Sequence, residues 1–156
     1  ADKITKKHLN NTFSYCFKNS NKEYPAILKM NLIKDKFLIK NGSKNINVRS
    51  IKVEHGKVNS FCYIFDKKLA YISDVSKIYK KDYRFFKNLK YLVIDCLWYK
   101  NHPSHLNLEQ SLELIKIFSP KKAVLTNLHS ELDYEILKKK LPKNVIPAYD
   151  GLNLYF

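Results

Sequence analysis

The 156 residues are 45% hydrophobic and 13% aromatic, with a formal net charge of +15 from 29 Lys+Arg against 14 Asp+Glu. That composition suits one folded domain over residues 1–156 and excludes a disordered chain. No run approaches the roughly 20 apolar residues of a membrane-spanning helix, and three cysteines without Cys-x-x-Cys spacing point to reduced thiols and a cytoplasmic setting.

In chain order, a short helix is expected around Lys6–Phe17, then an Asn-Ser-Asn loop at Asn19–Asn21. Strand-like runs follow at Pro25–Ile33 and Lys36–Ile39, and Asn41-Gly42 is a tight-turn signal. Ile46, Val48 and Ser50 alternate with polar neighbours and lead through Ile51–Val53 to His55. Val58–Phe65 and Leu69–Ser73 complete an antiparallel meander, joined by Asp66-Lys67-Lys68. The rhythm then changes. Ile78–Leu89 reads as a helix, and Tyr91–Ile94 as a strand covered on both faces.

Asn107 and Gln110 stand at capping-box spacing ahead of a helix whose stripe is Leu108, Leu112, Ile115 and Phe118. Ala123–Thr126 is the next strand, and Ser130 is the expected cap of a helix carrying Leu132, Ile136 and Leu137. Val145–Tyr149 and Leu152–Phe156 flank Asp150-Gly151 as a closing hairpin. Strands first, then alternating helix and strand, make a layered α/β (α+β) unit.

The positive charge has two readings. It attracts an anionic partner, or it is a compositional bias toward lysine on solvated faces. Only Arg49 and Arg84 are arginines, although arginine is the better bidentate partner for phosphate. Position in space separates the two.

Four polar groups end four apolar runs: His55 after Ile51–Glu54, Asp74 after Tyr71–Ser73, Asp95 after Tyr91–Ile94, and His129 after Val124–Thr126. Strand-end loops gather at one edge of a sheet, where sites form. Imidazole and carboxylate together suit Zn²⁺, Mn²⁺ or Fe²⁺. The bland alternatives are a turn residue at His55, a helix cap at Asp74 and a loop histidine at His129; no two candidates are close enough in sequence to form a local metal signature.

The ordered blocks Val53-Glu54-His55-Gly56, Leu69–Asp74, Val93–Leu97, His102-Pro103-Ser104-His105, Ala123–His129 and Ala148–Gly151 together resemble the metallo-beta-lactamase superfamily. The similarity is to its phosphodiesterase-like branch, which includes the cyclic-phosphate phosphodiesterase of phosphonate breakdown. The resemblance implies an αββα sandwich with a mixed, largely antiparallel sheet and flanking helices. It implies two divalent ions, zinc or manganese, with His55 on one, His129 on the other and Asp74 bridging. His105 is implied at the scissile phosphate or leaving group, with His102 and Asp95 in support. Many relatives place histidine directly after the threonine of the Leu-Thr block, where this chain has Asn127.

The superfamily's His-x-His-x-Asp-His motif occurs nowhere in the 156 residues, and the chain opens on Ala1. The expectation is therefore the C-terminal portion of such a domain, inactive alone and completed by an N-terminal segment that carries the motif. The complete protein is expected to hydrolyse a small phosphodiester or other anionic substrate with a water activated by two metals, without a membrane partner. Some relatives of this kind form homodimers. A metal-dependent RNA-processing nuclease and a non-catalytic basic nucleic-acid-binding module are the alternatives.

Overall fold

The computed structural model describes residues 1–18 and 23–156, so the expected loop at Asn19–Asn21 lies outside the described residues. Two compact units divide the chain, Ala1–Asp35 and Lys36–Phe156. No helix among the described residues is long and apolar enough to cross a membrane.

In the first unit, α1 (Lys3–Thr12) starts at Asp2, whose carboxylate accepts from the Thr5 amide at 2.7 Å. This N-cap lies several residues before the expected start. A 3-10 turn at Ser14–Cys16 follows. Pro25–Ile33 is not a strand. The amides of Ile27 and Leu28 both donate to the Cys16 carbonyl, at 3.1 and 2.9 Å, in place of a ladder partner. Apolar alternation reports a face, but a strand also needs an edge to pair with.

The second unit is built on one seven-stranded sheet whose spatial order is its sequence order. Its strands are β1 (Lys36–Asn41), β2 (Lys44–His55), β3 (Val58–Phe65), β4 (Leu69–Ile72), β5 (Tyr91–Asp95), β6 (Lys122–Thr126) and β7 (Val145–Pro147). The pairings from β1 to β4 are antiparallel, and those from β4 to β7 are parallel. The expected meander and the change of rhythm after it are both present.

Register sets which residues reach the core. Ile72, Ile94 and Leu125 are lateral partners across β4, β5 and β6, as are Ala70, Leu92 and Ala123. These six are fully buried and pack with Ile115 and Phe118 of α2 (Leu108–Phe118) and Leu137 of α3 (Tyr134–Lys140). Asn107 and Gln110 form the capping box as expected, with Gln110 N–H to Asn107 Oδ1 at 2.8 Å and Asn107 N–H to Gln110 Oε1 at 2.9 Å. The helix stops at Ser119, which is left-handed at φ 50°, just before Pro120.

Three expectations change in this unit. Ile78–Leu89 contains only a 3-10 helix, Lys80–Phe85. Glu54 pairs with Lys77 across an antiparallel bridge, and Tyr79 is still extended at φ −72° and ψ 133°, so no helix begins before Lys80. Phe86 is nonetheless buried, and Tyr83 packs on the core. Asp133, not Ser130, caps α3, with its carboxylate accepting from the Ile136 amide, and Ile136 is exposed. Leu152–Phe156 forms no strand, because β7 pairs in parallel with β6 and no hairpin partner follows.

Candidate metal centre

His55 is the last residue of β2, held there by pairing with Val58 across a two-residue turn. Gly56 opens that turn at φ +60°, where a side chain is strained. A Cβ added to Gly56 would also lie 3.1 Å from Ser104 Cβ, on the loop that carries His105. The glycine therefore serves the turn and the close approach of that loop together. Gly56→Ala should cost about 1–2 kcal/mol through backbone strain alone, a fall of about 3–8 °C in Tm. A thermal melt checks it, and the loop must shift by a few tenths of an ångström besides.

Asp74 lies just past β4 in the left-handed region, at φ 52°, and Asn127 just past β6 does the same at φ 62°. Aspartate and asparagine tolerate this conformation better than other side chains. The Ser60 hydroxyl donates to the Asp74 carbonyl at 2.6 Å and fixes the turn to β3. Across the adjacent loop, Ser76 Oγ accepts from the Gly56 amide and donates to the Glu54 carbonyl.

Asp95 ends β5 and is fully buried. Its Oδ2 accepts from His105 Nδ1 at 2.9 Å, the Leu106 amide at 3.2 Å and the Val75 amide at 3.4 Å. Its Oδ1 accepts from Asn127 Nδ2 at 2.7 Å, and that same amide nitrogen lies 3.4 Å from Asp74 Oδ1. A carboxylate with no access to water is stable only when its lone pairs are used, and Asp95 uses them to tie four segments together.

With Nδ1 engaged by Asp95, the His105 ring turns Nε2 outward. His105 Nε2 lies 3.2 Å from His55 Nε2, with the rings edge to face at 4.7 Å. One ligand atom each from His55, Asp74 and His105 falls within 4.8 Å of the others. Two nitrogens at about 2.0–2.1 Å from a tetrahedral zinc would stand roughly 3.3–3.4 Å apart, so the spacing fits a shared ion. A carboxylate behind a ligating histidine is also the usual support for such a ring. The donor set and geometry fit one divalent cation.

The structure thus brings His55, Asp74 and His105 together, with Asp95 behind them. His102 stands beside His105, ring centroids 5.3 Å apart, and its Nδ1 lies 3.2 Å from the Ser104 hydroxyl. His129 is placed differently. Its ring packs on Trp98 at 5.4 Å, its Nδ1 accepts from the Glu131 amide at 3.3 Å, and it is not among the three clustered ligands. Asn127 holds the position at the strand end, bridging the two carboxylates. Sequence reasoning noted Asn127 only as a departure from relatives; a polar residue directly after the β6 threonine was the available signal.

Residues 1–127 match the family described as the beta-lactamase superfamily domain. The chain is 30% identical over 111 residues to an octanoyltransferase of Porphyromonas gingivalis, covering 69% of this chain and 22% of that protein. Among solved structures, a diphosphatase from the PhnP family superposes with a TM-score of 0.82 at 25% identity, over 97% of this chain and 55% of its own. The metallo-beta-lactamase fold protein YhfI from Bacillus subtilis gives 0.63 at 15% identity, over 92% of this chain and 61% of its own. The chain therefore spans about a fifth of that curated relative.

Proposed function

Because this chain belongs to the beta-lactamase superfamily, we propose that it carries part of the active site of a metal-dependent hydrolase that cleaves phosphodiester or diphosphate bonds. The observation that carries this reading is the convergence of His55, Asp74 and His105 from three separate segments onto one point. The likeness to a diphosphatase over nearly the whole chain supports the substrate class.

Two imidazoles and a carboxylate suit zinc or manganese. Bound there, divalent ions would supply Lewis acidity toward a phosphoryl oxygen and a lowered pKa for water. Three ligands leave a tetrahedral ion one short and a second ion without a set of its own. We assign the remaining ligands to polypeptide outside these 156 residues, with His129 available to the second ion, and expect little turnover from the chain by itself.

The protein's own residues do the rest. Asp74 and His55 hold the reacting face of the site at the ends of β4 and β2. Asp95 accepts a hydrogen bond from His105 Nδ1 and fixes the ring, so that the Nε2 lone pair is presented to the ion as a ligand. His102 packs against that ring and limits its swing. A cytoplasmic setting agrees with three free thiols, two of them fully buried.

The test removes the two imidazoles one at a time. In the full-length protein, His55→Ala should lower metal affinity by more than about 100-fold and abolish hydrolysis of bis(p-nitrophenyl) phosphate. His105→Ala, which removes the second imidazole ligand, should lower metal affinity and turnover together on the same scale. Metal content by mass spectrometry and steady-state rates read both. Undiminished hydrolysis in His55→Ala removes the proposal.

A further inference from the structure

Arg49 and Arg84, the two arginines among 29 Lys+Arg, meet in one place. Arg49 Cζ lies 4.2 Å from the centroid of the Phe85 ring, and Arg84 Cζ lies 4.7 Å from it. Lys36, Lys67 and Lys87 line the same cavity, which has a volume of about 810 Å³. Asp66 is the one acidic side chain in its wall.

That carboxylate is already committed. Asp66 Oδ1 accepts from the Asn47 amide at 2.9 Å and from Asn47 Nδ2 at 3.1 Å, which holds its carboxyl below the usual range and ties the β3–β4 turn to β2. Neither guanidinium forms an ion pair with any described residue. A guanidinium laid on an aromatic ring is oriented in advance and keeps its N–H edge free for a planar, bidentate acceptor. The lysines are scattered along the whole chain; the arginines are not.

Position sets this cavity apart from the histidine cluster. Arg49 and His55 lie on the same strand, β2, and their separation of six residues spans about 20 Å. The cavity opens at the other end of the sheet, on the turn that joins β3 to β4. Its volume is in the range of small-molecule sites, about 300–1,000 Å³. Phe85 already has guanidinium groups over its ring, so it offers no platform for stacking the bases of a nucleic-acid strand.

We propose that this cavity binds a compact phosphate-bearing anion of the diphosphate type, held by Arg49 and Arg84 and neutralised by the surrounding lysines. The site is separate from the metal centre and does not depend on the hydrolase reading.

Inorganic pyrophosphate is the probe, titrated calorimetrically into the protein with chelator present and at physiological salt. One pyrophosphate per chain is expected. Arg49→Gln and Arg84→Gln should each weaken binding at least about tenfold, the scale of a lost charge-assisted hydrogen bond. Arg49→Lys and Arg84→Lys should also weaken it although the charge is kept, and His55→Ala should not. Arg49→Met retains the apolar stem over Phe85, and its anion-free melt shows that the fold is intact. Equal affinity in the two lysine variants, or an equal loss on Lys52→Gln outside the cavity, means that net charge alone attracts the anion and overturns the proposal. Tighter binding by a ten-residue oligonucleotide without a terminal phosphate, sensitive to the same arginines, overturns it as well.

Discussion

Asp95→Ala should be among the most damaging single substitutions in the second unit, lowering stability by about 3–5 kcal/mol and Tm by about 10–15 °C. The carboxylate is fully buried and accepts from His105, Asn127 and the backbone of Leu106 and Val75. Alanine leaves those donors facing a hole that water cannot reach, and each unsatisfied buried group carries its own desolvation penalty. Asp95→Asn separates charge from shape. Its amide can accept on one side only, so either His105 or Asn127 meets an N–H in place of an oxygen. It should fold at an intermediate Tm and still lose the orientation of His105. Thermal melts of both variants, with metal affinity measured alongside, check this; an Asp95→Ala protein as stable as the parent would show that the buried network contributes nothing.

Phe118→Ala should cost a similar amount, about 3–5 kcal/mol, by a different route. Its ring stacks on Phe86 with centroids 5.2 Å apart and meets Tyr83 in a T-shaped contact at 5.0 Å. All of this lies at the C-terminal end of α2, whereas the metal centre sits near its N-terminal cap. An 11-residue helix separates the two by about 16 Å. Denaturant titration should therefore show a lower midpoint with an unchanged slope, and metal affinity in the folded protein should stay at the parent value. Asp95→Ala moves both readings and Phe118→Ala only the first, so the pair tests whether the site is a local construction on a stable sheet.

The placement of site residues at strand ends was legible from local pattern. Apolar runs closing on His55, Asp74 and Asp95 are visible without a fold, and each does sit at or just beyond the end of a strand. The helix over Leu108–Phe118 was legible for the same reason, since its cap and stripe lie within a dozen residues of each other. The failures share a cause. Pro25–Ile33, Ile78–Leu89 and Leu152–Phe156 have plausible local patterns, and in each the outcome turned on whether a distant segment offered a partner. Ahead of Ile78–Leu89, the bridge between Glu54 and Lys77 holds the chain extended, so the helix starts late.

The sequence by itself determined most strands of the second unit, the helix over Leu108–Phe118, the strand-end carboxylates and histidine, and an excess of lysine over acid. Only the tertiary structure decided that His105 joins His55 and Asp74 while His129 packs on Trp98, and that Arg49 and Arg84 share one ring. Periodicity and capping are local and act over a few residues of chain. Which side chains meet depends on strand register, on a left-handed turn at Asn127 and on a close approach at Gly56. Those contacts join residues tens of positions apart, and no short stretch of sequence contains both partners.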